Sequence, residues 1–364
     1  MNKYLLKNYT LLGKEVKKPD KLTATLRHII KTPALQYVLF GAVMILVGYL
    51  ATNKILPYSW QSAFATTFAY AIASIGFCLL MGYSGLASLG TGGFIGIGTY
   101  AVHYIMVEAH LPFALALIVA LGVSILIGLI VGFISLRIEG IYLVILTLAL
   151  SEILRTLYSA IEPKLTLSTS NAILFGEKFP RTSSLMLVSV FLVVIMIITT
   201  NLINSPTGRA MLAMKNSTAA AQAMGISLIK YRLMAFVICT AYASVTGVLL
   251  MMVVRSADAT DPTGYYALIT SLNILAAVII GGFKSIWGAV FGTFVMYGIK
   301  LVVFSQIEFL SKNPLIITLI SGVLVIVIVM FFPGGLAQLL LEAKGKIQKL
   351  RQKFKEDKYG KDLG

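Results

Sequence analysis

Apolar runs about as long as a membrane is thick, joined by short polar connections, leave this chain few ways to fold. A helix needs about 20 residues to cross roughly 30 Å of hydrocarbon. Such runs fall near 34–52, 60–81, 86–108, 112–136, 139–158, 184–204, 231–254, 266–282, 286–304 and 314–332. Strict alternation of the β-barrel kind is absent. Only 12% of the residues are charged and 58% are hydrophobic, against about 25% charged in a soluble domain. The fold class expected is an all-α integral membrane protein of about ten transmembrane helices.

The net charge of +16 reflects location rather than a nucleic-acid partner. Lysine and arginine crowd the first 31 residues and the tail after Lys344, and the positive-inside bias puts both termini in the cytoplasm. The chain then divides into a basic segment 1–33, a transmembrane region 34–332 and a basic tail 333–364. With ten crossings Arg137, Arg209, Lys215, Lys230, Arg232 and Lys284 also fall inside. No cleavable signal peptide is expected, because a full-length span follows the basic start. The tail after Pro333 carries apolar residues on one side and lysines on the other, as an amphipathic helix on anionic lipid would; membrane lipid is thus an expected partner.

The prolines lie outside the spans or at their ends, so any broken span is broken by glycine. Gly82, Gly85, Gly90, Gly92, Gly93, Gly96 and Gly98 crowd one run, with Ser84, Ser88 and Thr91 between them. An interrupted helix there is tolerable only if its backbone faces protein or a watery cavity. Ser84, Gly85, Ser88, Gly90 and Thr91 are candidates for lining a substrate pathway, close packing of small residues being the alternative; the run lacks the strand that a dinucleotide loop requires. The stripe Ala116, Ala120, Ser124, Gly128, Gly132 and the pair Gly288, Gly292 read as helix-packing positions.

Ionisable groups within the runs are few. Glu152 and Arg155, three apart, can neutralise each other, His103 reads as a packed or interfacial residue, and Lys300 can snorkel. Arg137 and Glu139 mark an interfacial turn, and Cys78 and Cys239 read as buried thiols with no metal site. No GxxxxGK[ST] occurs, so the chain holds no ATP phosphates in a P-loop of its own, and no enzyme chemistry or cofactor is expected. Energy comes from another subunit, from an ion gradient, or from none. Ser205–Arg232, polar, basic and helical in pattern, is where a cytoplasmic partner would dock.

The stretches GYSGLASLGTGGFIGIGTY, LRIEGIYLVILTLALSEILR, SPTGRAMLAMKNSTAAAQAMGISLIKYRLMAF, IIGGFKSIWGAVFG and FPGGLAQLL occur in that order between Gly82 and Leu340. Together they resemble the LivM-type permease subunits of branched-chain amino acid ABC importers. The resemblance implies a multi-pass subunit of a bacterial inner membrane. Its partners would be a second, LivH-like permease subunit, two cytoplasmic ATPases that use the ATP, and an extracytoplasmic substrate-binding protein. The loop 205–232 then corresponds to the cytoplasmic coupling helix, with Ala219, Ala220, Ala223 and Gly225 in its small-residue signature. Gln222 stands where similar permeases often carry Glu. Tyr142 and Thr147 join the expected pathway. Permeases for urea, short amides or other amino acids share these features, and an ion-coupled carrier is the alternative outside the family.

Overall fold

The second apolar run folds as α2 (Tyr58–Leu79), whose last turn, Leu80–Ser84, widens into a π-helix. Gly85, with φ 76°, ends it, a left-handed conformation that a side chain would disfavour. Residues 85–90 are not helical, and the chain resumes as α3 (Thr91–Val102), continued by a π-helical turn over His103–Glu108. The computed structural model describes residues 33–52, 57–135, 140–168, 173–174, 177–261 and 264–303, with single helical positions between 316 and 335.

Around these lie α1 (Pro33–Thr52), α4 (Phe113–Ser135), α5 (Ile141–Ile161) and α6 (Ser184–Asn204). The polar interval contributes α7 (Pro206–Asn216) and α8 (Thr218–Ala223). Then come α9 (Leu228–Val254), α10 (Leu268–Gly281) and α11 (Ile286–Thr293, extended by a π-helical Phe294–Val303). Among the described residues, five helices are long and apolar enough to cross a membrane, including α2, α4, α5, α6 and α9. Against the expected ten, Ala34–Leu50, Leu268–Gly281 and Ile286–Lys300 are shorter apolar helices, the run 86–108 is helical only in its second part, and 314–332 falls almost wholly outside the described residues. Arg137, Glu139, the segment 1–32 and the basic tail lie outside them too.

The two long helices α2 and α9 run antiparallel at the centre, and two similar sets surround them. Each long helix is followed by non-helical chain and then by a shorter helix that starts at mid-depth: α3 after α2, α10 after α9. The pair α3 and α4 packs on α9, while α10 and α11 pack on α2. The arrangement is that of an inverted repeat, in which discontinuous helices meet near the midplane. Small residues permit the close approaches. A Cβ on Gly98 would collide with the Ser244 carbonyl, and one on Gly247 with the Ile95 carbonyl. The α4 stripe serves the same purpose. Ala116, Ala120 and Ser124 are buried, Gly128 abuts Thr240, and the Ser244 hydroxyl donates to the Ala120 carbonyl at 3.1 Å.

Two ends can be told apart. At one, β1 (Lys164–Thr166) pairs antiparallel with β4 (Ser256–Asp258), Leu165 opposite Ala257. Beside it β2 (Ile173–Leu174) pairs with β3 (Glu177–Lys178). The loop after α5 is thus anchored: Leu165 and Leu167 are buried, and the Leu167 amide donates to the Arg255 carbonyl at 2.9 Å. At the opposite end, Arg209, Lys215, Lys230, Arg232 and Lys284 sit on or beside α7, α9 and the 282–285 turn. The described carboxylates Glu108, Glu162, Asp258 and Asp261 lie at the ribbon end, with Glu152 toward it.

Candidate functional site

The N-terminus of α3 falls at mid-depth, since the Gly93 amide donates to Ser151 Oγ at 2.9 Å and Ser151 is midway along α5. A helix start leaves amide donors without intrahelical acceptors, which in hydrocarbon costs several kcal/mol each. Here hydroxyls supply the acceptors. The Leu89 amide donates to Thr147 Oγ1 at 3.0 Å, the Gly90 amide to Ser88 Oγ at 3.2 Å and the Gly92 amide to Ser271 Oγ at 2.9 Å. Three helices, α3, α5 and α10, therefore converge on one hydroxyl collar.

A tyrosine layer lies above it, toward the ribbon end. Tyr158 OH donates to the Gly93 carbonyl at 2.8 Å and Thr99 Oγ1 donates to Tyr266 OH at 2.8 Å. Tyr100 stacks on Tyr158 with centroids 4.5 Å apart, and Tyr266 leans on both. The helices pack tightly here: a Cβ on Gly96 would enter the Tyr158 ring, and one on Gly93 would stand 3.0 Å from Ser151 Cα.

Beyond the tyrosines, a pocket of about 470 Å³ opens beside the ribbon, lined by Lys164, Thr166, Asp258, Asp261 and Tyr265 among others. Its walls carry both signs of charge, Lys164 Nζ standing 3.7 Å from Asp258 Oδ2. The hydroxyl and amide of Thr260 both donate to Asp258 and, with Lys164, hold its carboxyl below the usual aspartate value. Nearby, buried His103 places Nε2 3.1 Å from Glu162 Oε2, and Arg155 pairs with Glu152 while donating to the Ala259 carbonyl at 3.2 Å.

The expected pathway residues separate into two places. Ser88, Gly90, Thr91 and Thr147 meet at the collar. Ser84 is spent on its own helix, donating to the Leu80 carbonyl at 2.6 Å, and Gly85 faces Lys215 at the basic end. Tyr142 is 70% exposed on the outer face of α5, away from the collar. Ser151, Tyr158, Tyr266 and Ser271 escaped sequence reasoning. The first two share with Thr147 the buried face of α5, Leu143, Thr147, Ser151, Leu154, Tyr158, a helical polar stripe visible in the sequence, whereas nothing singles out Ser271 or Tyr266. The collar offers hydrogen bonds and aromatic faces but no ionised side chain, and among the described residues no group of three His, Cys, Asp or Glu could hold a metal.

At the basic end, Ser205 caps α7, its Oγ accepting from the Gly208 amide at 3.4 Å. Met211 and Met214 are buried, and Lys215 Nζ donates to the Met81 and Gly82 carbonyls at 3.0 and 2.8 Å, capping α2. Burial, and then the neighbouring Lys284, lower the pKa of Lys215. On α8, Ala221 points inward while Ala219, Ala220, Gln222, Ala223 and Gly225 are exposed. Gly225, with φ 76°, turns the chain, and the Ile226 amide donates to the Ala221 carbonyl at 3.0 Å, the Schellman pattern.

Discontinuous helices meeting at mid-depth between antiparallel helix sets are an arrangement found in membrane transporters. Residues 61–331 match the family described as the branched-chain amino acid transport system permease component, and the chain belongs to that family. It is 30% identical over 302 residues to the high-affinity branched-chain amino acid transport system permease protein LivM of Salmonella typhimurium, covering 74% of this chain and 68% of the relative. The Escherichia coli LivM protein is 28% identical over 299 residues, with the same shares. A probable branched-chain amino acid transport permease protein LivH of Methanocaldococcus jannaschii is 24% identical over 261 residues, 70% of this chain and 73% of the relative. No solved structure matches.

Proposed function

We propose that this chain is the permease subunit of an ATP-driven ABC importer for branched-chain amino acids. It pairs with a second, LivH-like permease subunit, takes substrate from an extracytoplasmic binding protein at the ribbon end, and holds no cofactor itself. Two cytoplasmic ATPases supply the ATP chemistry, and both termini lie in the cytoplasm of a bacterial inner membrane. The observation that carries this reading is the mechanical link from α8 to the repeat. The exposed small residues Ala219, Ala220, Ala223 and Gly225 offer a seat for an ATPase groove. Lys215, one turn away, is hydrogen-bonded to the end of α2, and a Cβ on Gly82 would run into the Phe283 carbonyl between α10 and α11. A push on α8 therefore reaches both repeats. The charges of both signs at the ribbon mouth suit a zwitterion, whose ammonium and carboxylate need opposite partners. The hydroxyl collar with Ser88, Gly90, Thr91 and Thr147 would be the gate the substrate passes.

The test is Gly225→Trp. Among the described residues nothing lies within 4 Å of a Cβ at that position, but φ 76° strains any side chain there. Gly225→Ala is therefore the control for strain, and the further loss in Gly225→Trp reports bulk against a partner. Co-purification with a P-loop ATPase and uptake of leucine should both be lost while insertion stays normal. Normal uptake by Gly225→Trp would refute the docking role.

A further inference from the structure

A second pocket, of about 220 Å³, opens at the basic end between the first turns of α1, the last turn of α6 and the turn before α11, lined by Tyr37, Tyr83, Asn204, Lys284 and Trp287 among others. Neither the collar nor the α8 surface includes it. It is smaller than the roughly 300 Å³ of an ordinary small-molecule site, which suits a headgroup whose remainder stays outside.

Its charge is unbalanced. Lys284 is exposed and forms no ion pair among the described residues, whose carboxylates lie toward the ribbon end. More cations stand close by: Arg209 Nη1 donates to the carbonyl of Asn204 at 3.0 Å, and Lys215 feels the Lys284 charge. A concave site lined by one cation, with two more close by and no carboxylate in its described lining, favours an anion.

Its depth selects the kind. Tyr37 is one turn into α1, and Trp287 packs 5.5 Å from its ring and 5.2 Å from that of Phe40. Trp287 also stacks at 5.8 Å on Phe291, which is 43% exposed. An aromatic strip thus leads from the charged pocket along α11 toward hydrocarbon. Aromatic residues of this kind gather at headgroup level, and basic pockets between membrane helices hold lipid headgroups.

We propose that this pocket binds the phosphate of an anionic membrane phospholipid, with Lys284 as its counter-charge and the Trp287–Phe291 strip carrying its acyl chain. Inorganic phosphate shares the headgroup chemistry and is the competing source of the anion.

The chain has two tryptophans, so Trp60→Phe leaves Trp287 as its only indole. In the full-length Trp60→Phe protein reconstituted in phosphatidylcholine, brominated phosphatidylglycerol should quench Trp287 with about fivefold preference over brominated phosphatidylcholine, the weight of one cation near a charged headgroup. Adding Lys284→Gln should abolish the preference, and adding Lys230→Gln, on the exposed start of α9, should not. Equal quenching by the two lipids, an unchanged preference in Lys284→Gln, or an equal loss in Lys230→Gln would overturn the proposal. So would displacement of the brominated lipid by inorganic phosphate, which would make the site one for a free anion. If Lys284→Gln weakens ATPase co-purification but leaves quenching intact, the cation serves a protein contact and the lipid site is refuted.

Discussion

The backbone amide of Gly92 donates to the hydroxyl of Ser271 at 2.9 Å, joining the mid-depth starts of α3 and α10 across 179 residues of sequence. No water is at hand in hydrocarbon to replace that acceptor. Ser271→Ala should therefore destabilise the protein by about 1 kcal/mol, within the range of interhelical hydrogen bonds in membranes. Unfolding in mixed detergent micelles measures it, and unchanged stability would show that the collar tolerates an open amide.

The α3–α9 crossing depends on backbone meeting backbone at Gly98 and Gly247. Carbonyls cannot rotate aside as side chains can, so Gly98→Ala and Gly247→Ala should each cost about 1–3 kcal/mol. Gly122, on α4, has nothing among the described residues within 4 Å of its Cβ position, and Gly122→Ala should gain up to about 1 kcal/mol from helix propensity. Thermal unfolding of the three purified variants separates steric from helix-propensity effects: equal shifts would contradict the crossing.

Hydrophobic runs made most of the architecture legible. The helices Phe113–Ser135 and Ser184–Asn204 end within a residue or so of the runs that announce them, because lipid exposure demands unbroken apolar surface. The gap at 85–90 was legible only as a glycine-rich stretch. Whether such a stretch continues as helix depends on acceptors elsewhere, and Thr147, Ser151 and Ser271 come from helices that only the fold brings near. The ribbon escaped for a similar reason: β1 and β4 have three residues each, too few for alternation to stand out. Ser84, Gly85 and Tyr142 show the converse. Polar or small character marks them, but depth and facing separate them from the collar.

The ribbon should respond to acid. The Thr260 hydroxyl, the Thr260 amide and Lys164 hold the Asp258 pKa below its ordinary value of 3.8. The folded state thus favours the carboxylate, and the stabilisation is fully present above that ordinary value and lost as pH falls through the depressed one. Asp258→Asn should be less stable than the parent at pH 5 and indistinguishable from it once the parent's carboxylate is protonated. A pH series of melting temperatures checks this; a constant difference across the series would assign the effect to shape, not charge.

Gly96 and Tyr158 test whether the tyrosine layer closes the path by contact. A Cβ on Gly96 would enter the ring of Tyr158, whose hydroxyl is tied to the Gly93 carbonyl at 2.8 Å and whose other face stacks on Tyr100. With both ends of the ring engaged, Gly96→Ala has no inexpensive relaxation and should destabilise. Tyr158→Ala should destabilise too, by emptying the layer. In the double variant the new methyl enters space the ring has left, so the combined loss should fall short of the sum by about 1–2 kcal/mol, a coupling of the size that touching residues show. Additive losses would mean that the layer yields independently of Gly96 and that α3 and α5 are not locked there.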